Sequence, residues 1–256
     1  MATRRKVRDV ELEVLHCGEG PPVVFLHGLQ PVDGSARVLE LLGRRAEITA
    51  PSHPGFGGSP RPKDFETMYD LTHLYLELLE QLPEPQVTLI GVSFGGWIAA
   101  EVAAASSHRI SRLILADPFG IKISDRERRD IVHLFNTHPE TVRQCEWHDP
   151  ARFAPDFNTW DDDALVRYAR GRESLCVYGW QPYMHNPQLP RWLKRIAVPT
   201  LVLWGASDRI VLPEYGRAYA ALIPGARFAL IEAAGHHPEV EQPEVFVDHV
   251  LGFIGE

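Results

Sequence analysis

The feature that most restricts the fold is an alternation of short apolar runs with longer helical patterns. The runs are rich in Val, Ile and Leu and are bounded by Gly, Pro or Asp; they cover residues 22–26, 87–90, 113–116, 200–204 and 228–231. Continuous apolar strands of this kind are covered on both faces, as in a parallel sheet. Apolar residues at helical spacing lie between them, at positions 71, 74, 78 and 82, over 97–105, and at 246, 250 and 253. The pattern predicts an α/β fold with a mostly parallel, doubly wound sheet.

One long stretch interrupts this alternation. Residues 120–197 contain no clean buried strand but many charged residues and large aromatics, and the strand pattern resumes after Pro199. We predict that this stretch is a mostly helical cap inserted into a core formed by residues 1–119 and 198–256. Alternation of apolar and polar residues over 7–11 predicts an early strand. The basic N-terminal residues are not followed by the apolar stretch of a secretion signal, so we do not expect a signal peptide there.

The motif Gly91-Val92-Ser93-Phe94-Gly95 follows a predicted buried strand directly and opens a predicted helix. This is the strand–turn–helix setting that a nucleophile elbow requires. The tight turn strains the serine backbone and exposes its Oγ, and the residues two positions away must be small because the turn presses them together. The following helix also directs its N-terminal amides toward the serine. A glycine-rich turn with an incidental serine is the alternative, which the other motifs have to exclude.

A serine hydroxyl becomes an effective nucleophile when a base removes its proton, and the base needs an acid to orient it. In chains with this elbow, the three residues follow the order Ser, then Asp or Glu, then His. Asp208 comes after the strand at 200–204, at the carboxyl end where open α/β sheets bind ligands. His236 follows the last predicted strand. Ser93, Asp208 and His236 therefore form the predicted catalytic triad.

The chain resembles the α/β-hydrolase superfamily, in the branch of serine esterases and meta-cleavage-product hydrolases that carry a helical cap. The motifs behind this resemblance are His27-Gly28, Pro54-Gly55-Phe56-Gly57, Gly91-Val92-Ser93-Phe94-Gly95-Gly96, residues 199–208 and Gly235-His236-His237-Pro238. The resemblance implies an α/β-hydrolase fold with Ser93 as nucleophile, His236 as general base and Asp208 as its partner. It also implies an oxyanion hole formed by the backbone amides of Leu29 and Phe94. Such chemistry needs no cofactor, and the remaining histidines lack the spacing of a zinc site.

Several roles stay open at this point. Asp117 also ends a predicted strand, and a minority of the superfamily takes its acid from that position, so Asp117 is the alternative to Asp208. His27 is expected to stabilise its own loop by hydrogen bonding. His53 stands where many relatives carry an acidic residue, which is expected to change the bonding of the loop and not the chemistry.

The residues that bind the substrate are the least constrained by the sequence. Trp180, Tyr183 and Met184 form an apolar cluster near the end of the predicted cap, where they either line an acyl pocket or pack the cap onto the core. His237 is expected to be structural or to form a wall of the pocket. Our expectation is a serine hydrolase that cleaves a carboxylic ester of a small to medium apolar substrate.

Other activities share this triad. A carbon–carbon bond hydrolase of meta-cleavage products is the first alternative, but those relatives usually carry a glycine-rich segment after His-Gly and a tryptophan after the catalytic histidine. This chain has Leu29-Gln30-Pro31 and His237 at those positions. Haloperoxidase-like or lactone-hydrolysing activity, and a ligand receptor that keeps the hydrolase fold, are further alternatives. The aspartate nucleophile of dehalogenases and most epoxide hydrolases of this fold is absent, since Ser93 takes that position.

Composition limits the partners. A formal net charge of −8 argues against nucleic acid or an anionic membrane surface as the main partner. No apolar run reaches the roughly 18 to 20 residues that a membrane helix needs. The three cysteines are too widely spaced to suggest a disulfide framework. A small-molecule ester is therefore the expected partner, in the cytoplasm, and the sequence gives no indication of the oligomeric state.

Overall fold

The computed structural model describes residues 2–30 and 32–255, and within them one sheet of eight strands forms the centre of the fold. The strands are β1 (Ala2–Val7), β2 (Val10–Cys17), β3 (Pro22–Leu26), β4 (Glu47–Pro51), β5 (Val87–Val92), β6 (Ile110–Ala116), β7 (Thr200–Gly205) and β8 (Arg227–Ile231). Their order across the sheet is β1-β2-β4-β3-β5-β6-β7-β8. β2 runs antiparallel to both β1 and β4, and all other neighbours are parallel. The predicted mostly parallel sheet is confirmed.

Helices cover both faces of this sheet. They are α1 (Ala36–Gly43), α2 (Met68–Glu80), α3 (Ser93–Ala105), α4 (Pro139–Glu146), α5 (Pro150–Phe153), α6 (Asp162–Gly179), α7 (Leu189–Trp192), α8 (Pro213–Ala221), α9 (Pro238–Glu241) and α10 (Pro243–Ile254). The helices α2, α3 and α8 pack on one face, and α1 and α10 pack on the other. Each face has its own buried apolar cluster, so the sheet is doubly wound.

The central unit is β5 followed directly by α3. Every residue of β5 is buried, and α3 is buried around most of its circumference. A strand covered on both faces has no polar side to alternate with, which is why its sequence is continuously apolar. Because β3, β5, β6, β7 and β8 are parallel, their carboxyl ends meet at one edge of the sheet. The loops that follow them are therefore brought together there.

Between β6 and β7, where every residue is described, the chain forms α4 to α7 and two 3₁₀ turns, Phe157–Thr159 and Leu193–Arg195, with no strand. The helix α6 is the longest of these elements, and Asp161 caps it by accepting a hydrogen bond from the Ala164 amide at 2.8 Å. The division into a core of residues 1–119 and 198–256 and a cap of residues 120–197 stays a prediction.

The N-terminal part of the fold differs from the sequence-based expectation. Residues 7–11 are not one strand, because the chain reverses at Arg8 and Asp9, and Val7 pairs with Val10 across the turn of the β1–β2 hairpin. Arg8 has a φ of 53°, in the left-handed region that tight turns require. The two valines are three positions apart, which fits a two-residue turn and not a strand of strict period two. The pattern also missed β4, α1 and α8.

Candidate active site

Ser93 lies at a strained turn between β5 and α3. Its φ is 51°, in the left-handed region that residues with a Cβ rarely adopt. The turn has no room for side chains at the flanking glycines. A Cβ on Gly91 would lie 2.4 Å from the Gly95 carbonyl oxygen, and one on Gly95 would lie 2.2 Å from the Leu26 carbonyl oxygen. The local geometry is therefore the nucleophile elbow that the motif predicted.

The structure brings Ser93, His236 and Asp208 together in a hydrogen-bonded chain. Ser93 Oγ lies 2.8 Å from His236 Nε2, and His236 Nδ1 lies 2.8 Å from Asp208 Oδ2. The three residues come from the loops after β5, β8 and β7, and each is almost completely buried. The Phe119 ring stacks on the imidazole of His236 with its centroid 5.0 Å away. In this arrangement His236 can accept the serine proton while the carboxylate holds its ring.

Backbone amides fix the Asp208 carboxylate. Its Oδ1 accepts hydrogen bonds from the amides of Ile210 at 2.8 Å and Val211 at 3.1 Å, which leaves Oδ2 for the histidine. Asp117, the alternative acid, lies at the same edge of the sheet, but its Oδ1 accepts a hydrogen bond from the Gly205 amide at 3.0 Å. Of the two candidates, Asp208 is the one whose carboxylate is hydrogen-bonded to His236.

The loop after β3 lies directly against the serine. A Cβ on Gly28 would come within 3.0 Å of Ser93 Cβ, so the backbone can approach this closely only at a glycine. Leu29 follows it, and its amide donates none of the hydrogen bonds found in the described part of the chain. The Phe94 amide belongs to the first turn of α3, where amides have no acceptor within the helix. Both amides are thus free to act as the predicted oxyanion donors.

Two buried histidines support this loop. His27 Nδ1 donates to the Gly28 carbonyl oxygen at 2.7 Å, and His27 Nε2 accepts from the His53 amide at 3.1 Å. His53 Nε2 donates to the His27 carbonyl oxygen at 2.8 Å, and His53 Nδ1 accepts from the Tyr75 hydroxyl. Burial lowers the pKa of His27 to about 4 and the pKa of His53 well below its usual value, so both rings are neutral. These contacts show His27 stabilising its own loop by hydrogen bonds, as expected.

His237 forms a buried ion pair that ties α4 to the loop carrying His236. Its Nε2 lies 2.7 Å from Glu146 Oε1, and its Nδ1 lies 3.5 Å from Glu239 Oε1. Burial alone would lower the pKa of His237, but the hydrogen bonds and charges of Glu146 and Glu239 outweigh it and raise that pKa to about 10. Of the two expected roles, the structural one fits these contacts.

This ion pair predicts a specific pH dependence of stability. A histidine whose pKa is raised on folding stabilises the protein fully below its unfolded pKa of about 6.5, and the contribution is lost as pH rises through the folded value of about 10. Urea unfolding of the wild type is therefore expected to show a free energy of unfolding that falls between these pH values, whereas His237→Gln should fall less. The exposed His73→Gln serves as the control and should behave like the wild type. An equal slope in His237→Gln and wild type would contradict the ion pair.

Further hydrogen bonds connect the end of α4 to the loop that carries His236. The His236 amide donates to the Glu146 carbonyl oxygen at 2.7 Å. The buried Glu241 carboxylate accepts from the Gly235 amide at 2.6 Å and from the His148 amide at 2.9 Å. The sequence analysis did not single out Glu146, because it lies about ninety residues before the histidine loop and belongs to no motif. Glu241 lies only a few residues after His236, but its sequence context does not show that its side chain accepts a hydrogen bond from the Gly235 amide.

No hydrogen bond or ring contact in the described part of the chain joins Trp180, Tyr183 or Met184 to Ser93 or His236. Tyr183 donates its hydroxyl to the Val132 carbonyl oxygen at 2.9 Å, and Met184 is fully buried against Gly179. Trp180 is 54% exposed and lines a surface cavity with Trp97. Tyr183 and Met184 therefore pack within the segment before β7, whereas Trp180 borders a cavity, and the substrate-binding role of the three residues stays a prediction.

Residues of α6 border two other cavities. One, of about 560 Å³, is lined by Gln30, Trp160 and Tyr168 among others. Gln30 directly follows Leu29 in the chain. The other, of about 430 Å³, is lined by Tyr168, Trp147 and Glu146 among others, and Trp147 packs against the His237 ring at 4.6 Å. Tyr168 borders both. The helical pattern of α6 does not show which of its faces borders a cavity, so the sequence analysis did not single out Tyr168.

Comparison with known proteins agrees with the fold. Residues 21–243 match the family model described as the alpha/beta hydrolase fold, and the chain belongs to this family of hydrolases. It is 29% identical over 262 residues to the polyketide synthase ThaQ of Burkholderia thailandensis, an alignment that spans 95% of this chain but 12% of ThaQ. It is 28% identical over 255 residues to 2-hydroxymuconate semialdehyde hydrolase of Pseudomonas sp. strain CF600, covering 93% of this chain and 88% of the relative.

A solved structure supports the same fold. The serine hydrolase CarC, involved in carbazole degradation, superposes with a TM-score of 0.79 at 22% identity, covering 100% of this chain and 99% of CarC. Among the residues that the structure describes, no helix combines the length and the apolar character needed to cross a bilayer.

Proposed function

We propose that this hydrolase cleaves carboxylic esters through an acyl-enzyme on Ser93. The observation that carries the proposal is the continuous hydrogen-bonded chain from Ser93 Oγ through His236 to Asp208, with 2.8 Å at each step. A hydroxyl, an imidazole and a carboxylate in this order form the arrangement that activates serine for acyl transfer.

In the first half-reaction, Ser93 Oγ attacks the ester carbonyl carbon while His236 Nε2 takes its proton. The carbonyl oxygen becomes an oxyanion and accepts hydrogen bonds from the amides of Leu29 and Phe94. When the tetrahedral intermediate collapses, the bond from carbon to the alcohol oxygen breaks and His236 returns the proton to the leaving alcohol. The buried site strengthens these interactions, because few water molecules screen them.

In the second half-reaction, water replaces the alcohol. His236 takes a proton from the water, the hydroxide attacks the acyl carbon, and the bond to Ser93 Oγ breaks as the proton returns to the serine. Asp208 accepts a hydrogen bond from His236 Nδ1 throughout, and its negative charge stabilises the imidazolium that forms twice in each cycle. The products are a carboxylic acid and the regenerated enzyme.

The two cavities beside α6 support a small to medium substrate with apolar parts. Their volumes of about 560 and 430 Å³ fall in the range of small-molecule sites, and they share the aromatic wall of Tyr168. The first begins beside the proposed oxyanion donors and the second beside the His236 loop. We propose that the acyl and alcohol groups occupy these two spaces.

The similarity to 2-hydroxymuconate semialdehyde hydrolase favours one second candidate, the cleavage of a carbon–carbon bond in a meta-cleavage product. The triad would serve either reaction. The departures at Leu29-Gln30-Pro31 and at His237 remain the sequence evidence for the ester.

A substrate panel separates the two candidates. p-Nitrophenyl esters with varied acyl chains and aliphatic esters with varied alcohols would be assayed beside a meta-cleavage product, with the wild type and Ser93→Ala. We expect multiple turnovers on esters, with the highest kcat/KM at short or medium acyl length. Turnover of the meta-cleavage product alone would replace the ester proposal with the second candidate, and a single turnover on every substrate would indicate a ligand receptor.

A further inference from the structure

A second buried aspartate lies beside the triad without a role in the reaction described above. Asp117 follows β6, is fully buried and has a φ of 45°, a conformation that non-glycine residues rarely keep without support from their surroundings. Its Oδ1 accepts a hydrogen bond from the Gly205 amide at 3.0 Å. One oxygen of Asp117, one of Asp208 and one nitrogen of His236 lie within 4.8 Å of one another.

The second oxygen of Asp117 is the unusual feature. Asp117 Oδ2 is buried and has no hydrogen-bond donor in the described part of the chain. The adjacent Asp208 carboxylate is itself an acceptor, already bonded to two amides and to His236. Two ionised carboxylates facing each other in a buried site would be strongly unfavourable, whereas a proton between them turns one acceptor into a donor.

The charges around Asp117 act in the same direction. Burial, then the charge of Asp208, and more weakly the charge of Glu239 raise the pKa of Asp117 well above its usual range, against the hydrogen bond from Gly205. The charge of His237 does not offset this, because His237 is paired with Glu146 and Glu239. His236 is already bonded to Asp208.

We propose that Asp117 is a positioning residue that stays protonated in the working enzyme and donates a hydrogen bond from its Oδ2 to the Asp208 carboxylate. The proton stays on Asp117 through both half-reactions, so no step transfers it to the substrate or to His236. The hydrogen bond fixes the plane of the Asp208 carboxylate and makes that carboxylate a weaker base. The proton on His236 Nδ1 therefore stays on the imidazole. The pair then carries a single negative charge, which matches the single positive charge of the imidazolium.

Two substitutions at Asp117 distinguish a proton donor from an ionised acid. The kinetic part of the test rests on the proposed function of the triad. In Asp117→Asn the amide can still accept from Gly205 and donate to Asp208, so kcat should stay within about threefold of wild type and the acid limb of the pH–rate profile should not move. Asp117→Val removes the donor, and kcat should fall by about tenfold or more, as expected for loss of a hydrogen bond to a charged group. Glu101→Gln, which removes a largely buried carboxyl elsewhere, is the control.

A measurement that needs no activity completes the test. Carbon-13 NMR of protein labelled at the aspartate carboxyl carbons would follow the Asp117 signal, assigned by its loss in Asp117→Asn. We expect the signal of a protonated carboxyl at neutral pH. A carboxylate signal at neutral pH would overturn the proposal, as would an acid limb that moves by about one pH unit toward acid in Asp117→Asn, since that shift reports a lost negative charge beside His236. Wild-type kcat in a folded Asp117→Val would also overturn it.

If Ser93→Ala keeps its activity, the proposed function fails, and the NMR result still decides whether Asp117 is protonated.

Discussion

Replacing Ser93 with alanine is expected to lower kcat for a p-nitrophenyl ester by on the order of 10⁶, while leaving the fold intact. The hydroxyl oxygen of Ser93 is the atom that bonds to the acyl carbon. It lies 2.8 Å from His236 Nε2, the base that takes its proton, and the alanine side chain has no oxygen to replace it. Removing one oxygen from a buried turn does not create a cavity large enough to unfold the chain. Steady-state kinetics and a thermal melt of both proteins measure the two effects separately.

A matched control makes this result specific. Ser106 stands at the other end of α3, where its hydroxyl contacts His108, so Ser106→Ala should keep full activity. If Ser93→Ala retained even a tenth of the wild-type kcat, the covalent mechanism would be wrong. The active group would then have to be an activated water or another nucleophile.

Asp208→Asn has the second largest expected effect, a loss on the order of 10⁴ in kcat. The asparagine oxygen can still accept from the Ile210 and Val211 amides, which directs its NH₂ group toward His236 Nδ1. The imidazole then accepts at Nδ1 and carries its proton on Nε2, where it can no longer take a proton from Ser93. The substitution is nearly isosteric, so the loss comes from the tautomer and not from the packing.

The control for this substitution is Asp70→Asn, which changes an acid in the capping box of α2, away from the site. Its activity should equal that of wild type, although the helix end loses a favourable charge. Near-wild-type activity of Asp208→Asn would move the acid role to Asp117, the other carboxyl within reach. In that case Asp117→Asn, and not Asp208→Asn, would show the large loss.

The arrangement of the triad could be predicted because each member follows a local signal. Ser93 lies in a motif whose glycines are required by the turn, and Asp208 and His236 each follow an apolar strand. Parallel strands bring their carboxyl ends to one edge, so residues distant in sequence were expected to meet there. The choice between Asp208 and Asp117 could not be made in the same way, since both follow strands. It depends on which carboxylate faces His236.

The supports of the site could not be predicted, because polar contacts between side chains and loops leave no periodic pattern in the sequence. Glu146 reaches His237 from α4, about ninety residues earlier in the chain. Glu241 holds the Gly235 amide only because α9 turns back on the loop. Apolar periodicity reports which face of an element is buried and gives no information on its polar partners.

The substrate pocket could not be located from the sequence for a related reason. Trp180, Tyr183 and Met184 are large and apolar and adjoin the end of α6, but large apolar side chains pack interiors as readily as they line cavities. One cavity is bordered by Tyr168, in the middle of α6, and by Gln30 beside Leu29, and another is bordered by Trp180. Which turn of a helix faces the site depends on how the helix docks, and the sequence of the helix alone does not determine that.

The central claim is that Ser93 forms the covalent bond to the acyl group. The most direct test treats the protein with a fluorophosphonate, which phosphonylates a serine only when a neighbouring base activates it. Intact-mass and peptide mass spectrometry should show one adduct per chain, on the peptide containing Ser93, with none in Ser93→Ala and little in His236→Gln. An unmodified Ser93, or an adduct that persists in Ser93→Ala, would contradict the account.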